Sequence, residues 1–493
     1  MRRTRAPDLP TALVLAAAAV LALLAVRRTP DDAFWQIVYG QAILSGRLPA
    51  WEVFSWTAAG RPLIVTEWLY DAILAAASRL SGWAVWLLAF GCLAALGGTC
   101  LRLFAARTRD RSLAAVLALA ALAVAAPFAA PLPQLGSDAL WAALWAVLER
   151  GRLRGPRGLW LAPVITAVWA NVHGTFPLAC ALLLVETLLA RLPPRHTRLA
   201  EPHHAGTRRW LPAVTAISLG ATLLTPYGWR LYGRVWGLAT NGFHLAHIAE
   251  FQSPNFHTLY GAAVLGPFLL LVLAAVLLGR RRLPARAVVM GLACVAGVLW
   301  AVRLAPYGTI PLGLLAASAL RARRPRPAPE GWPLVLVALA IPLAVLVRRP
   351  PPAWPVTAGW PTGAADFVAA HLAGRGFNTY ADGSFLLWRW RGHPPVYIDS
   401  RGDVYMGTGV LARYVAITRL QVDPGPVLAA EGVRWALLPH GQPLAKVLRL
   451  EGWRQAYTGP DAVVLVAPAV RQGRVIPAGE AGLWRATQGQ PGM

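Results

Sequence analysis

Long apolar runs separated by short polar connections dominate the chain. These runs approach or reach the length needed to cross roughly 30 Å of hydrocarbon as a helix. They occupy residues 11–26, 82–105, 112–129, 137–150, 158–171, 174–191, 210–225, 257–279, 285–303, 305–322 and 331–348. The pattern predicts a polytopic α-helical membrane protein with about eleven transmembrane helices. The stretch 158–191 fits either two short spans or a re-entrant hairpin.

The overall composition agrees with this pattern. The chain has 493 residues, of which 56% are hydrophobic and only 14% are charged. A soluble enzyme is excluded because such long apolar segments cannot face water. The formal net charge of +25 could attract nucleic acid, but most arginines lie in short loops between apolar runs. That placement marks the cytoplasmic side of a membrane, so we expect no nucleic-acid partner.

The basic loops predict the orientation. Arginine-rich connections at 107–111, 150–157, 191–209, 280–286 and 321–326 alternate with arginine-poor ones, and the N-terminal residues 1–5 are also basic. All of these segments should be cytoplasmic. The run 11–26 lacks a small-residue cleavage site before Arg27, so we interpret it as an uncleaved anchor. An odd number of spans then places the C-terminal domain outside the cytoplasm.

The first outer loop, residues 27–80, belongs to a predicted transmembrane domain of residues 1–349. Two stretches in this loop, 31–45 and 66–80, are apolar-periodic but too short and polar to span a membrane. In the first, the apolar side chains Phe34, Ile37, Val38, Ala42 and Leu44 are predicted to form the membrane-facing side of an interfacial helix. In the second, Thr66 is a plausible N-cap, with Glu67 in the first helical turn.

Residues 350–493 differ in character and predict an extracytoplasmic α/β domain. A Pro-rich linker opens the segment, and helix-like and strand-like stretches then alternate. Helices are expected at 362–373, 427–432 and 444–451, and strands at 395–399, 434–439 and 462–468. The domain contains neither of the glycine-rich phosphate-binding motifs, so no nucleotide is implied.

Ionisable residues gather near the outer ends of the spans, where charge at membrane depth is costly and marks candidate sites. They are Asp31, Asp32, Glu67, Asp71, His173, Arg230, Arg234, Glu250 and Arg303. A carboxylate can deprotonate a hydroxyl, and a guanidinium can hold a leaving phosphate. Each residue also has a structural interpretation. The acids could begin helices, His173 could be a packing residue, and the arginines could extend to lipid headgroups.

Several segments together resemble a broad family of bacterial GT-C-like membrane proteins. They are "DDAFWQIVYGQAILSGRLP" (31–49), "FSWTAAGRPLIVTEWL" (54–69), "WANVHGTF" (169–176), "TPYGWRLY" (225–232) and "YADGSFLLWRW" with "PPVYIDSRGDVY" (380–405). The family is related in pattern to aminoarabinose transferases and protein O-mannosyltransferases. The resemblance implies a GT-C fold, a polyprenyl-phosphate sugar donor, an extracytoplasmic glycan, lipid or protein acceptor, and a bacterial cytoplasmic membrane location.

The resemblance also suggests roles for individual residues. The candidate catalytic acids are Asp32, Asp31 and Glu67; Arg303 and Arg230 would bind the donor phosphate; and His173, Tyr227, Glu250, Asp382, Asp399 and Arg401 would contribute further substrate contacts. Alignment on the aromatic pair Phe34-Trp35 selects Asp32 as the family's acid, whereas alignment on Gly46 selects Asp31. We prefer Asp32 because the aromatic pair is nearer.

The sequence departs from the family at three places. Gln36 stands where relatives tend to have histidine, Leu132 where they tend to have arginine, and the Asp-Glu pair of the relatives is Asp-Asp here. These departures leave open an inactive member. The function we expect is an inverting membrane glycosyltransferase. A lipid-carrier flippase or transporter and a non-catalytic envelope assembly protein are the alternatives. No cofactor is assigned, and a divalent metal is left open.

Overall fold

A computed structural model describes residues 8–191, 203–279, 283–322, 324 and 332–468. The chain divides into two compact units. The helical unit comprises Met1–Leu48 and Ile64–Val356, and the C-terminal unit comprises Pro49–Leu63 and Thr357–Met493. Parts of the predicted basic loops 191–209, 280–286 and 321–326 lie outside the described residues, as do the N-terminal basic segment 1–5 and the end of the predicted C-terminal domain.

Helices make up the helical unit. In chain order they are α1 (Leu9–Ala25), α2 (Asp31–Leu44), α3 (Trp68–Leu80), α4 (Gly82–Thr108), α5 (Arg111–Ala125), α6 (Pro133–Arg154), α7 (Leu161–Val172), α8 (Pro177–Arg191), α9 (Ala205–Ala221), α10 (Arg230–Ala239), α11 (Gly242–His247), α12 (Gly266–Leu278), α13 (Ala285–Trp300), α14 (Ala305–Ala319) and α15 (Trp332–Arg348). Each apolar run noted in the sequence overlaps one of them. The helical character of the runs is therefore confirmed.

The number of membrane crossings is a separate matter. Among the described residues, three helical stretches are long and apolar enough to cross a membrane: Gly82–Thr108, Arg111–Phe128 and Gly261–Leu278. Leu9–Ala25, Ala285–Trp300 and Pro333–Arg348 are apolar but shorter. The 12 residues of α7 extend only about 18 Å. The structure therefore supports a helical membrane protein, and the count of eleven spans stays a prediction.

Side-chain caps begin several of these helices. Asp8, Ser81 and Asp110 accept hydrogen bonds from the backbone N–H groups of Thr11, Ala84 and Leu113 at 3.2, 3.2 and 3.0 Å, at the starts of α1, α4 and α5. Such caps satisfy donors that have no partner inside the helix. Polar residues at the boundaries of the apolar runs thus define where these helices begin.

The two helices of the first outer loop form largely where the periodicity predicts them. The expected stretch 31–45 forms α2. Its predicted apolar side chains do not share one environment: Leu44 is 45% exposed, whereas Phe34 and Ile37 are buried inside the protein. The second helix begins at Trp68, later than expected. Glu67 itself occupies the N-cap position of α3 without a side-chain cap bond, so Thr66 is not the N-cap.

Helices α2 and α3 pack closely at a glycine. A methyl group added at Gly40 would lie 2.0 Å from the backbone oxygen of Asp71, a distance that no side chain can occupy. Glycine is therefore required at this position for the two backbones to approach each other. The close approach determines how the acids carried by α2 and α3 lie relative to one another.

The C-terminal unit combines helices with a mixed sheet. Its helices are α16 (Thr362–His371), α17 (Tyr380–Arg389), α18 (Val410–Thr418), α19 (Pro424–Ala430) and α20 (Pro443–Leu450), and its strands are β1 (Arg375–Asn378), β2 (Val433–Pro439), β3 (Arg454–Thr458) and β4 (Ala462–Val466). The strand order is β1-β2-β4-β3. Strand β1 runs parallel to β2, whereas β4 is antiparallel to both β2 and β3. Every residue of β4 is buried.

One predicted strand of this unit is wrong. Residues 395–399 form no strand in the described structure, and Val396 makes a single bridge to Ser55. The next backbone N–H, that of Tyr397, donates to the side-chain oxygen of Asn378 at 2.8 Å instead of to a neighbouring strand. Two real strands were missed because β1 is short and glycine-containing, while β3 is polar and mostly exposed.

Candidate functional site

Three carboxylates approach one another where α2 and α3 begin. Asp32 lies in the first turn of α2, Glu67 occupies the N-cap of α3, and Asp71 follows one turn later. The Asp71 side chain is fully buried, and neither of its oxygens has a hydrogen-bond partner. Burial raises the pKa of Asp71 well above its usual value, and the charges of Glu67 and Asp32 raise that pKa further. The neutral acid is thereby favoured.

Asp32 is oriented by its neighbour along the helix. The indole N–H of Trp35 donates to Oδ1 of Asp32 over 3.0 Å. Both Asp31 and Asp32 lie in the first turn of α2, where the helix dipole favours a carboxylate. The N-cap residue is Pro30, which makes no side-chain cap bond. Neither aspartate is therefore the N-cap, and Asp32 interacts electrostatically with Asp71.

Glu67 connects the acids to the side chain at position 36. The amide Nε2 of Gln36 donates to Oε2 of Glu67 at 3.3 Å, and Gln36 is buried. Nε2 of His173 lies 3.6 Å from Oε1 of Glu67, which is beyond ordinary hydrogen-bond range. Gln36 of α2 thus contacts the acid at the start of α3.

His173 follows α7 and is held by hydroxyl groups. Its Nδ1 lies 2.8 Å from Oγ1 of Thr175 and 3.0 Å from Oγ of Ser137. Nε2 lies 3.3 Å from Nη2 of Arg303, which must donate because guanidinium has no acceptor. Burial, together with the Arg303 charge, lowers the pKa of His173 well below its usual value. We therefore assign a neutral ring with the proton on Nδ1.

Arg303 lies in a short 3-10 turn, Val302–Leu304, directly after α13. Its guanidinium carbon is 4.7 Å from the centre of the Phe251 ring. Nη1 lies 3.7 Å from Oε2 of Glu250, whose side chain is 58% exposed. Nε of Arg303 is buried without a hydrogen-bond partner. This cation is therefore positioned by a neutral histidine and an aromatic face, with an exposed acid at a longer distance.

Tyr227 and Arg230 lie in and after the connection between α9 and α10. The hydroxyl of Tyr227 accepts a hydrogen bond from the backbone N–H of Val65 at 3.1 Å, which ties this connection to the segment that precedes α3. Arg230 is the first residue of α10 and is exposed. The adjacent Trp229 is 77% exposed. An aromatic residue beside an arginine is typical of a membrane interface.

The three remaining predicted site residues lie in the C-terminal unit. Asp382 accepts from the hydroxyl of Thr379 at 2.6 Å at the start of α17. Arg401 donates to Asp399 at 2.6 and 2.8 Å and to Glu52 at 2.7 and 3.1 Å. Glu52 and Asp399 are fully buried, and Arg401 is 2% exposed. Burial raises the pKa of Glu52, against the opposing effect of Arg401. These contacts give the three charges of the network a structural role in their unit.

The structure brings several predicted residues of the helical unit together. Asp32 and Glu67 each interact electrostatically with Asp71. From Glu67, contacts of 3.3 to 3.7 Å lead to His173, Arg303 and Glu250. The sequence analysis did not identify the hydroxyl partners of His173, because Ser137 and Thr175 carry no charge signal. Among the residues that the structure describes, no three His, Cys, Asp or Glu side chains are grouped to hold a metal ion.

Among comparisons with known proteins, only the comparison with solved structures finds matches. No family model matches the sequence, and no curated protein matches it. Solved structures do match, among them three of the oligosaccharyltransferase of Archaeoglobus fulgidus. One is the apo form (TM-score 0.55, 10% identity). Another is tethered to an acceptor peptide containing the NVT sequon (0.54, 12%). The third, named AglB, is in complex with an inhibitory peptide and a dolichol-phosphate (0.56, 11%).

The matches extend over most of the chain. Each covers 86% of this chain and 68% or 69% of the archaeal chain. At such low identity the likeness shows the fold, so this chain has the fold of an oligosaccharyltransferase, a GT-C glycosyltransferase. The GT-C-like fold implied by the sequence is confirmed at this level. The relation to aminoarabinose transferases and protein O-mannosyltransferases, and the bacterial origin, stay predictions.

Proposed function

We propose that this protein is an integral membrane glycosyltransferase of the GT-C type. It transfers a sugar from a polyprenyl-phosphate donor to an extracytoplasmic acceptor, with inversion at the anomeric carbon. The observation that carries the proposal is the grouping of Asp32, Glu67 and Asp71 beside His173 and Arg303 in a chain with an oligosaccharyltransferase fold. Acids for proton removal and a fixed cation for a leaving phosphate are what this reaction requires.

Asp32 is the general base of the proposed mechanism. Its carboxylate takes the proton of the acceptor hydroxyl, and the resulting oxygen attacks the anomeric carbon as the bond from that carbon to the phosphate oxygen breaks. The bonding electrons leave with the lipid phosphate. Attack from the face opposite the phosphate inverts the configuration. The Trp35 hydrogen bond supports this role because it holds the carboxylate in one orientation.

Arg303 stabilises the departing phosphate. A fixed guanidinium is worth most where negative charge develops in the transition state. The neutral state of His173 supports this role, because a neutral ring accepts a hydrogen bond from Arg303 and adds no competing positive charge. Glu250 lies 3.7 Å from Arg303 and is largely exposed, so an incoming phosphate can replace it as the partner of Arg303.

The lipid-linked donor is the finer part of the proposal. The archaeal oligosaccharyltransferase binds a dolichol-phosphate and a peptide in its solved complex. A polyprenyl-phosphate sugar would suit the apolar helices and Arg303 of this chain. The acceptor is a glycan, lipid or protein outside the cytoplasm, and the N-terminus together with the basic loops faces the cytoplasm.

The test is a deletion strain complemented with wild-type protein or with Asp32→Asn. Cells without the protein should lack one envelope modification and should accumulate lipid-linked sugar on the outer face of the cytoplasmic membrane. Wild type should reverse both changes, and Asp32→Asn should reverse neither. Accumulation on the inner face would instead indicate a flippase, and an unchanged envelope would contradict the proposed transfer.

A further inference from the structure

The hydroxyl partners of His173 continue into a buried network that the proposed mechanism does not use. Oγ1 of Thr175 lies 2.8 Å from the hydroxyl of Tyr307 and accepts a hydrogen bond from the indole N–H of Trp169 at 3.3 Å. The indole N–H of Trp141 donates to the backbone oxygen of Tyr307 at 3.0 Å. Tyr307 is 3% exposed, and Trp169 is fully buried. The network therefore lies in the protein interior, where polar groups need partners.

Aromatic contacts hold the Tyr307 ring. It is stacked on Trp169 with the ring centres 6.2 Å apart, and it meets Trp141 edge-on at 5.8 Å. Both arrangements are favourable for aromatic pairs, and close packing leaves a buried ring little room to turn. The hydroxyl of Tyr307 is therefore presented to Thr175 from a fixed position.

Arg303 and Tyr307 are linked to opposite ring nitrogens of His173. Arg303 precedes α14 and donates to Nε2 at 3.3 Å. Tyr307 lies in the first turn of α14 and is linked to Nδ1 through Thr175. The short segment 303–307 therefore affects the hydrogen bonds at both nitrogens of His173.

The donors and acceptors around His173 determine the position of its ring proton. A guanidinium has donors only, so Arg303 donates to Nε2, and the proton of the neutral ring lies on Nδ1. The hydroxyl of Ser137 donates to the backbone oxygen of Pro133 at 3.2 Å. Ser137 has then used its one proton, so it accepts from Nδ1–H of His173 over 3.0 Å. The contacts at both nitrogens therefore favour the same tautomer.

Thr175 completes this set of hydrogen bonds. A hydroxyl group has one donor and two acceptor sites. Oγ1 of Thr175 accepts from Trp169, so one acceptor site remains for Nδ1–H of His173. The proton of Thr175 then points to the hydroxyl oxygen of Tyr307. The opposite tautomer would turn Nε2–H toward Nη2 of Arg303, so that two donors would face each other.

We propose that Tyr307 is a positioning residue that acts through Thr175. By accepting the Thr175 proton, the phenol keeps the lone pair of Oγ1 turned toward His173, and the ring is held with Nε2 as an acceptor for Arg303. Tyr307 therefore fixes the direction of the guanidinium. The consequence for donor phosphate rests on the proposed function, whereas the tautomer of His173 does not.

Tyr307→Phe and Tyr232→Phe form a matched pair for testing this role. The hydroxyl of Tyr232 is also paired with a threonine hydroxyl, that of Thr222, so each variant removes one phenol oxygen from a tyrosine–threonine pair. Only Tyr307 is linked to His173 through its threonine. In Tyr307→Phe the Thr175 hydroxyl loses its acceptor and can turn its proton toward Nδ1, which favours the opposite tautomer.

The experiment combines nitrogen-15 NMR of histidine-labelled full-length protein with binding of a polyprenyl-phosphate analogue. The His173 signals are assigned by their loss in His173→Gln. Wild type should show a protonated Nδ1 and an unprotonated Nε2. Tyr307→Phe should show a second set of signals with the proton on Nε2, and its affinity for the analogue should fall roughly 3- to 10-fold, the range for one hydrogen bond. Tyr232→Phe should match wild type in both measurements.

Several outcomes would overturn the proposal. A wild-type spectrum with the proton on Nε2 would do so without any variant, even if Tyr307→Phe does not fold. An unchanged tautomer in folded Tyr307→Phe would mean that Tyr307 does not act through His173, whatever happens to the affinity. Equal changes in Tyr232→Phe would make the effect a general one of losing a phenol. If wild type does not bind the analogue but the tautomer shifts as expected, the positioning role stands and the proposed function fails.

Discussion

The helical unit and the C-terminal unit both contain buried carboxylates, but the neighbours of these carboxylates differ between the two units. In the C-terminal unit, Glu52 and Asp399 share one arginine, Arg401, through four hydrogen bonds of 3.1 Å or less. In the helical unit, three acids lie near one another. Glu67 lies 3.6 Å from His173, and His173 in turn lies 3.3 Å from Arg303. Removing one partner of a buried ion pair is strongly destabilising, whereas acids that shift one another's pKa are typical of functional sites.

The largest stability effect is expected where the pairing is complete. Arg401→Met should lower the free energy of unfolding by about 3–5 kcal/mol, because it leaves Glu52 and Asp399 buried without their cation. Thermal unfolding of the full-length protein measures this loss. Arg389→Met is the control, because its pair with Asp366 is exposed and is worth about 0–1 kcal/mol. Equal shifts for the two variants would remove the distinction between buried and surface pairs.

A smaller effect on binding is expected at Arg303. Arg303→Ala should weaken binding of a polyprenyl-phosphate analogue by about 1.5–3 kcal/mol, or roughly 10- to 100-fold, because a charge-assisted hydrogen bond is lost. Arg303→Lys should recover only part of the affinity, since lysine lacks the planar fork. If Arg303→Ala folds and its affinity for the analogue is unchanged, Arg303 contacts lipid headgroups and does not bind the donor phosphate.

Replacing Asp71 should change the free energy of unfolding in the opposite direction from replacing Arg401. Asp71→Leu removes a buried, unpartnered carboxyl, so it should stabilise the protein by about 1–3 kcal/mol at neutral pH. The folded pKa is raised, so the Asp71 contribution to stability is fully present below the unfolded pKa of about 3.9 and is lost as pH rises. The advantage of the variant should therefore shrink as pH falls toward 4.

Melting temperatures of wild type and Asp71→Leu at pH 7 and near pH 4.5 test this prediction. Transfer activity measured on the same samples separates two interpretations. A variant that is more stable and less active is the result expected of a functional acid held at a cost to the fold. A variant that is less stable at both pH values would mean that Asp71 has a stabilising partner.

The smallest effect is expected at Arg230. This residue is exposed at the start of α10, so Arg230→Ala should change the affinity for the polyprenyl-phosphate analogue by less than about threefold, as for a solvent-screened charge. Arg230→Ala and Arg303→Ala, compared in one titration series, rank the two predicted phosphate ligands. A loss at Arg230 equal to that at Arg303 would place both arginines on the donor.

Local pattern predicted more of the helical unit than of the C-terminal unit. Apolar runs and polar caps are local signals, and they located the helices of the apolar runs and helix α2. The partnership of Glu52 with Arg401 joins residues 349 positions apart, and no local signal contains it. The same limit applies to β1 and β3, since neither has a strong alternating pattern. The burial of Asp71 depends on the close approach at Gly40, which periodicity does not reveal.

The Asp32 and Asp31 pair tests the central claim most directly, because the two acids are adjacent in the same helical turn. Purified Asp32→Asn should lose about 10²- to 10⁴-fold in donor-dependent transfer while its melting temperature stays within a few degrees of wild type. Asp31→Asn, with the same change of charge, should keep most of the activity. If Asp32→Asn transfers sugar as fast as wild type, Asp32 serves only to begin α2, and the grouped acids are not a catalytic site.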